Sequence, residues 1–423
     1  MTELTKTRDM LGRGGLTGVG EALQILMEQL QNVETDTEEI ALTEAFDRVL
    51  ALPIISPEDL PAQPRSTMDG FAVKAADTFG ASESMPCYLN ITGEVLMGTA
   101  SSGKVEKGCC YKIPTGGLVP AGSDCVVMLE HTIPVDETMI EIVKSGGSGA
   151  NLIQRGEDIA KGAAALPAGH RLRPQDIGLL AGLGIDKVVV TKQIRVGIFS
   201  TGDEIISHRE QPKPGQIRNI NTLALAGQVR RAGGLYTDYG IVSDREEIFL
   251  PAMQKAVTEN DVVLFSGGSS VGVRDLGEQV VASLGPPGIL VHGVTLKPGK
   301  PVLIGMSDTT PIFGLPGHPV SAMVCFDFFV RPTIERLSGI VIEQPLPTPS
   351  VSALLTRNIN SAPGRLDVVR VRLVRKEGTW HAEPVLGKSG SISTLSRAHG
   401  YFLIDEDSQG ATENSVIKVH LFQ

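Results

Sequence analysis

The sequence predicts a multidomain protein, an α/β module carrying additional β modules, and three observations lead there. Strands alternate with helices from residue 194 to 339. Short β-type runs split by Gly, Pro and Ser fill 53–150 and 345–423. At 423 residues, the chain exceeds one ordinary core.

Taken in order, residues 20–50 carry apolar positions at helical spacing (Leu23, Leu26, Leu30, then Ile40, Phe46, Val49), which predicts two short helices. From 53 to 150 the runs YLNIT, CYKIP, DCVVMLE and MIEIV are punctuated at close spacing, the pattern of a small β module. Residues 151–193 are read as helical again, with Pro174 opening QDIGLLAGLG. The domains expected are therefore a discontinuous helical one (18–52 and 151–193), the β-rich insert 53–150, an α/β domain over 194–339 and a C-terminal β domain over 345–423. In the third, strands IRVGIF, DVVLF, PVLIGM and TPIFGL alternate with helices 222–232, 245–258, 275–284 and 319–337. That alternation predicts a mainly parallel sheet covered on both faces. EQPLPTPS reads as a Pro-rich linker, and RLDVVRVRLV, WHAEPV, YFLIDED and SVIKVHLF as strands of a small barrel or sandwich.

Composition narrows the function. With 38 basic and 48 acidic side chains the formal charge is −10, so nothing draws the chain generally to nucleic acid or anionic membrane. No apolar run approaches the ~20 residues that span a bilayer, and the polar start predicts a cytoplasmic address. Five cysteines form no CxxC pair, and the eight histidines give no HxxxH or HxH zinc pair. No GxSxG elbow offers a covalent nucleophile.

What remains points to an anion. FSTGDE (199–204), FSGGSSVGVRD (265–275) and GLPGHPVSA (314–322) each follow a predicted strand. Glycine there lets backbone N–H groups approach a phosphate, and ligands of open α/β sheets collect at strand carboxyl ends. Each turn alone is equally a tight βα connection. LKPGKP adds Lys297 and Lys300 on a stiff turn, cations for a phosphate or oxyanion, or a solvated surface turn. Asp69, Asp158, Asp203, Glu204, Asp244 and Asp275 sit in short loops. Some suit Mg²⁺, which takes one or two carboxylates plus phosphate oxygens, while Asp244 and Asp275 also suit helix N-caps.

STMDGFAV, PTGGLVPAGSDCVVMLE, RGEDI, FSTGDEI, GQIRNIN, SGGSSVGVRD, LKPGKP and GLPGHPVSA occur in the order seen in molybdopterin molybdenumtransferases, the MoeA and gephyrin E-domain family, which the chain resembles from about residue 20 to 340. The resemblance implies a three-layer α/β molybdopterin-binding domain within a four-domain homodimer. It implies insertion of molybdate into the dithiolene of adenylylated molybdopterin, with release of AMP and assistance from Mg²⁺. It also implies molybdopterin adenylyltransferase, and molybdoenzyme apoproteins or their chaperones, as partners. Catalytic positions would be Asp69, Thr115, Asp158, Glu204, Asp244 and Asp275, with Asp244 and Asp275 holding the metal. Ser266, Gly267, Gly268, Ser270, Gly272, Pro316, Gly317 and Ser321 would cradle the pterin and its phosphates, with Lys297 and Lys300 on molybdate or phosphate. Asp69 and Thr115 would act across the dimer interface.

This sequence departs from the family pattern at several positions. Asn219 stands for Asp, Leu276-Gly277-Glu278 for Tyr-x-Lys, His318 for Asn, Gly117-Leu118 for Ala-Pro, and Arg65 for a polar or acidic residue. These motivate two alternatives, a tungsten-selective or client-specific paralogue and a non-catalytic molybdopterin-binding scaffold.

Overall fold

The computed structural model describes residues 15–99, 103–267, 271–340 and 349–422, with side chains of 271–275 outside that description. The chain forms two compact units: one of 39–46 and 52–189, the other of residues up to 38, 47–51 and 190 onward.

The smaller unit is built on a six-stranded sheet in the order Cys125–Met128, Gly70–Val73, Cys109–Ile113, Cys87–Glu94, Met139–Ile142, Thr132–Pro134. Its core joins Phe71, Val73, Leu89, Val127, Ile140 and Ile142. The punctuated β pattern is borne out here. Helix is scarcer than periodicity suggests: over 151–189 it forms at Pro174–Gly182, while Leu152–Ile153, Ala164–Leu166 and Lys187–Thr191 are extended.

The larger unit holds a six-stranded sheet in the order Leu235–Val242, Arg195–Thr201, Val262–Gly267, Thr310–Pro316, Leu303–Ser307, Pro287–His292. The first four strands are mutually parallel, and Leu303–Ser307 runs antiparallel to both its neighbours, Thr310–Pro316 and Pro287–His292. Alternate residues of each strand serve opposite layers. Val196, Ile198, Val262, Leu264, Phe313 and Leu315 pack with helices Val19–Gln29, Asn221–Arg231 and the 319–337 segment. Phe199, Val263, Phe265 and Ile312 pack with helices Glu246–Glu259 and Val271–Ser283. Burial on both faces is why these strands read as continuous apolar runs. The second helix expected before residue 50 is instead strand Thr37–Ala41 and a 3₁₀ turn, Leu42–Glu44. Five C-terminal strands close a barrel, because Leu366–Lys376 pairs with both Thr379–Pro384 and Gly400–Ile404. Leu296–Lys297 adds to it beside Leu366–Asp367, which brings the LKPGKP turn against the barrel. The expected Pro-rich linker, 343–350, falls mainly outside the described residues, at 343–348.

Candidate functional site

The parallel strands fix the site. Thr201 is in register with both Val242 and Gly267, and Gly267 with Pro316, so the three glycine turns leave one sheet edge side by side. The edge is tight: a Cβ on Gly267 would lie 1.9 Å from the Thr201 carbonyl oxygen. At Gly317 the nearest atom to such a Cβ is 3.6 Å away, ordinary contact. Ser266 is fully buried, and its hydroxyl has no hydrogen-bond partner among the described residues. Ser321 is buried in helix Pro319–Cys325, which opens on a proline suited to that first position. Gly268 and Ser270 lie outside the described residues, and of Gly272 and Asp275 only the backbone, in helix Val271–Ser283, is described. That helix begins at Val271, so Asp275 is inside it and is not the N-cap considered above. Asn219 earns its amide: Oδ1 accepts from the Ser200 hydroxyl (3.0 Å) and Thr222 N–H (3.2 Å), and Nδ2 donates to Thr222 Oγ1 (2.9 Å). An Asp would lack that last donor.

An acidic group flanks this edge. Asp244 follows strand Leu235–Val242, and the next helix is capped by Arg245, so Asp244 is not an N-cap either. One of its oxygens, Oδ1, is buried without a partner. Burial, then the charges of Asp203 and Glu204, raise its pKa above the usual carboxylate range, against a hydrogen bond from Thr201. Asp203 Oδ1 accepts from the Ser243 hydroxyl at 3.0 Å. A buried, orphaned and repelled carboxylate oxygen suits a divalent cation that takes few protein ligands and completes its shell with substrate oxygens. Among the described residues no three His, Cys, Asp or Glu converge as a metal cage.

Beside the edge lies a cavity of about 1140 Å³, lined by Thr201, Gly267, Pro316, Gly317 and Ser321 and, across from them, by the barrel. Its lining carries Lys297, Lys300, Arg365, Arg370 and Lys388, with Asp367 the one carboxylate among the described residues. Asp367, 3% exposed, takes Lys297 Nζ on Oδ2 (2.9 Å) and Arg365 Nε on Oδ1 (2.9 Å). Lys300 has no ion-pair partner among the described residues. Arg370 is 8% exposed, and burial lowers its pKa. Its Nη atoms donate to Thr394 Oγ1 and the Gly387 carbonyl (both 3.0 Å), while Nε is orphaned. A buried cation held only by neutral acceptors retains charge for an anion.

In the smaller unit, Asp69 Oδ1 accepts from the Thr115 N–H at 2.7 Å; this bond, then one from the Thr115 hydroxyl, lowers the Asp69 pKa. Both residues are exposed, on loops that Arg65 ties together by donating to the Gly116 carbonyl (2.7 Å). Asp158 is exposed on a separate loop, its N–H donating to Leu60 O at 3.1 Å. Sequence reading missed Arg370 and its ties to the cavity. Arg370 lies among the alternating residues of VVRVRLV, and nothing in that run marks one arginine as inward.

A parallel sheet presenting three glycine turns to a basic cavity defines a binder of anionic ligands at a strand-end crevice. Comparison with known proteins specifies which. Residues 17–184 match the MoeA N-terminal region (domain I and II), 197–336 a probable molybdopterin binding domain, and 352–422 the MoeA C-terminal region (domain IV). The molybdopterin molybdenumtransferase of Haemophilus influenzae is 31% identical over 405 residues, 95% of this chain and 98% of that one. That of Bacillus subtilis is 30% identical over 392 residues, 92% and 90% of the two chains. A crystal structure of a molybdopterin biosynthesis protein from Pyrococcus horikoshii, 32% identical, superposes with a TM-score of 0.83 over 96% of this chain and 100% of that one. The chain belongs to the MoeA family of molybdopterin biosynthesis proteins. No helix among the described residues is long and apolar enough to cross a membrane.

Proposed function

We propose that this protein is a molybdenum insertase that transfers molybdate into the dithiolene of adenylylated molybdopterin and releases AMP, working as a homodimer. The observation that carries the reading is the register of Thr201, Gly267 and Pro316, which opens three glycine turns onto one cavity with an uncompensated Arg370. Backbone amides of the turns hold phosphate oxygens, and Lys300 with Arg370 holds the oxyanion. Mg²⁺, when bound, neutralises developing charge on those oxygens. Asp244 supplies a carboxylate for it, oriented by the Thr201 hydroxyl. The three buried thiols take no part: burial pushes Cys110 up to about 12 and Cys125 to about 11, and raises Cys325 as well, so these three offer no thiolate. Positioning and electrostatics do the work.

The test is AMP quantification after incubating the purified protein with adenylylated molybdopterin, molybdate and Mg²⁺. AMP formed in step with inserted molybdenum supports the reading, and binding without AMP release overturns it in favour of a scaffold.

A further inference from the structure

We propose that residues 387–394 of the barrel act as a strap that holds the Arg370 guanidinium in its anion-binding pose, and that His318 is the positioning residue anchoring the strap to the third glycine turn. The inference rests on the functional reading above.

Three observations converge. Both acceptors that orient Arg370, Gly387 O and Thr394 Oγ1, belong to this one segment. The segment is internally braced: Ser391 N–H donates to Lys388 O (3.0 Å), Thr394 N–H to Ser391 O (3.0 Å) and Thr394 Oγ1 to Ser391 O (2.7 Å). Its middle is fastened to the glycine turn twice. Ser389 Oγ hydrogen-bonds His318 Nδ1 at 2.8 Å, and the Val320 N–H donates to the Ser389 carbonyl at 3.1 Å.

Arg370 therefore has its orientation fixed by groups whose position His318 fixes in turn. With no carboxylate among the described residues to hold it, the guanidinium keeps its pose only while the strap keeps its own. His318 is exposed, so removing its ring opens no core cavity. Its effect runs through Ser389 to the anion, which makes it a positioning residue that need not touch substrate.

The experiment is equilibrium binding of molybdate alone to the full-length protein, with thermal melting and steady-state kinetics alongside. His318→Ala and Ser389→Ala are each expected to weaken molybdate binding about three- to tenfold, the scale of one lost hydrogen bond. The double variant is expected to be no weaker than the weaker single, since both act through one link. His318→Gln, which keeps an amide for Ser389, restores most of the affinity. KM for molybdate rises while kcat holds, and the melting temperature stays put. Unchanged molybdate affinity in both single variants, or multiplicative losses in the double, overturns the strap. A wild-type protein that binds no molybdate overturns the functional reading and the strap with it, an outcome distinct from the other two.

Discussion

Asp69 and Asp244 are the same residue type in short stiff loops, and the two units treat them oppositely. Asp69 is exposed and receives both the N–H and the hydroxyl of Thr115, which lower its pKa. Asp244 is half-buried with an orphaned oxygen and two acidic neighbours, which raise it. A carboxylate that already has its donors is finished as an electrostatic element. One that lacks them is a vacancy for positive charge. The contrast separates an aspartate that orders a loop from one that calls for a cation.

The largest effect expected breaks that contrast directly. Asp244→Asn removes the charge without changing volume, and Mg²⁺-supported AMP release should fall on the order of 100-fold, the scale of a lost Lewis acid. Titrating Mg²⁺ should then give little recovery. If Asp244→Asn keeps wild-type turnover and Mg²⁺ dependence, Asp244 is not the metal's ligand.

Next in size is a test of the edge beside Asp244. Gly267→Ala drives a Cβ to 1.9 Å from Thr201 O, so strand ends must separate at a cost of about 1–3 kcal/mol. Gly317→Ala meets nothing closer than 3.6 Å and should melt like wild type. Equal melting temperatures for the two would mean the edge is looser than its register implies.

How far this was legible follows from where each signal is local. The parallel sheet could be read because double-faced burial leaves uninterrupted runs such as Val262–Phe265, and the three turns because their glycines follow the strand ends, one of them, Gly267, forced there by the abutting Thr201 carbonyl. Ile40, Phe46 and Val49 imitated a helix, but Thr37–Ala41 pairs as strand and Leu42–Glu44 is a 3₁₀ turn, tertiary context overriding period. Strands Leu235–Val242 and Pro287–His292 went unseen, the first because at the sheet's outer edge its residues are largely unburied. Lys297 and Lys300 looked equivalent in LKPGKP. Only the pairing of Leu296–Lys297 with Leu366–Asp367 reveals that Lys297 is bound to Asp367, while Lys300 has no ion-pair partner among the described residues. Arg370 depends on contacts with Gly387 and Thr394 that no spacing encodes.

That distinction gives the third prediction. Lys300→Ala should weaken molybdate binding by about 1 kcal/mol, roughly fivefold, and leave the melting temperature unchanged. Lys297→Ala should cost stability as well, because buried Asp367 keeps only Arg365; with Lys297 half exposed, that loss is held to about 1 kcal/mol or less. Dialysis against molybdate and a thermal melt on each variant decide it. Matching profiles for the two lysines would erase the difference the pairing draws.

The smallest effect returns to the two aspartates through pH. Folded Asp244 holds its proton more tightly than the unfolded chain does, so its contribution to stability is greatest in acid and declines as pH rises from about 4 through its raised pKa, then levels. Folded Asp69 holds its proton less tightly, so its contribution is present above about 4 and lost as pH falls through its lowered pKa. Melting temperatures of Asp244→Asn minus wild type should therefore widen in the mutant's favour between pH 4 and 7. Mg²⁺ should close that gap by neutralising the wild-type charge. Asp69→Asn should show a constant difference over the same range, changing only in stronger acid. A flat profile for Asp244→Asn would place its carboxylate in water like that of Asp69, and the argument for a cation there would go with it.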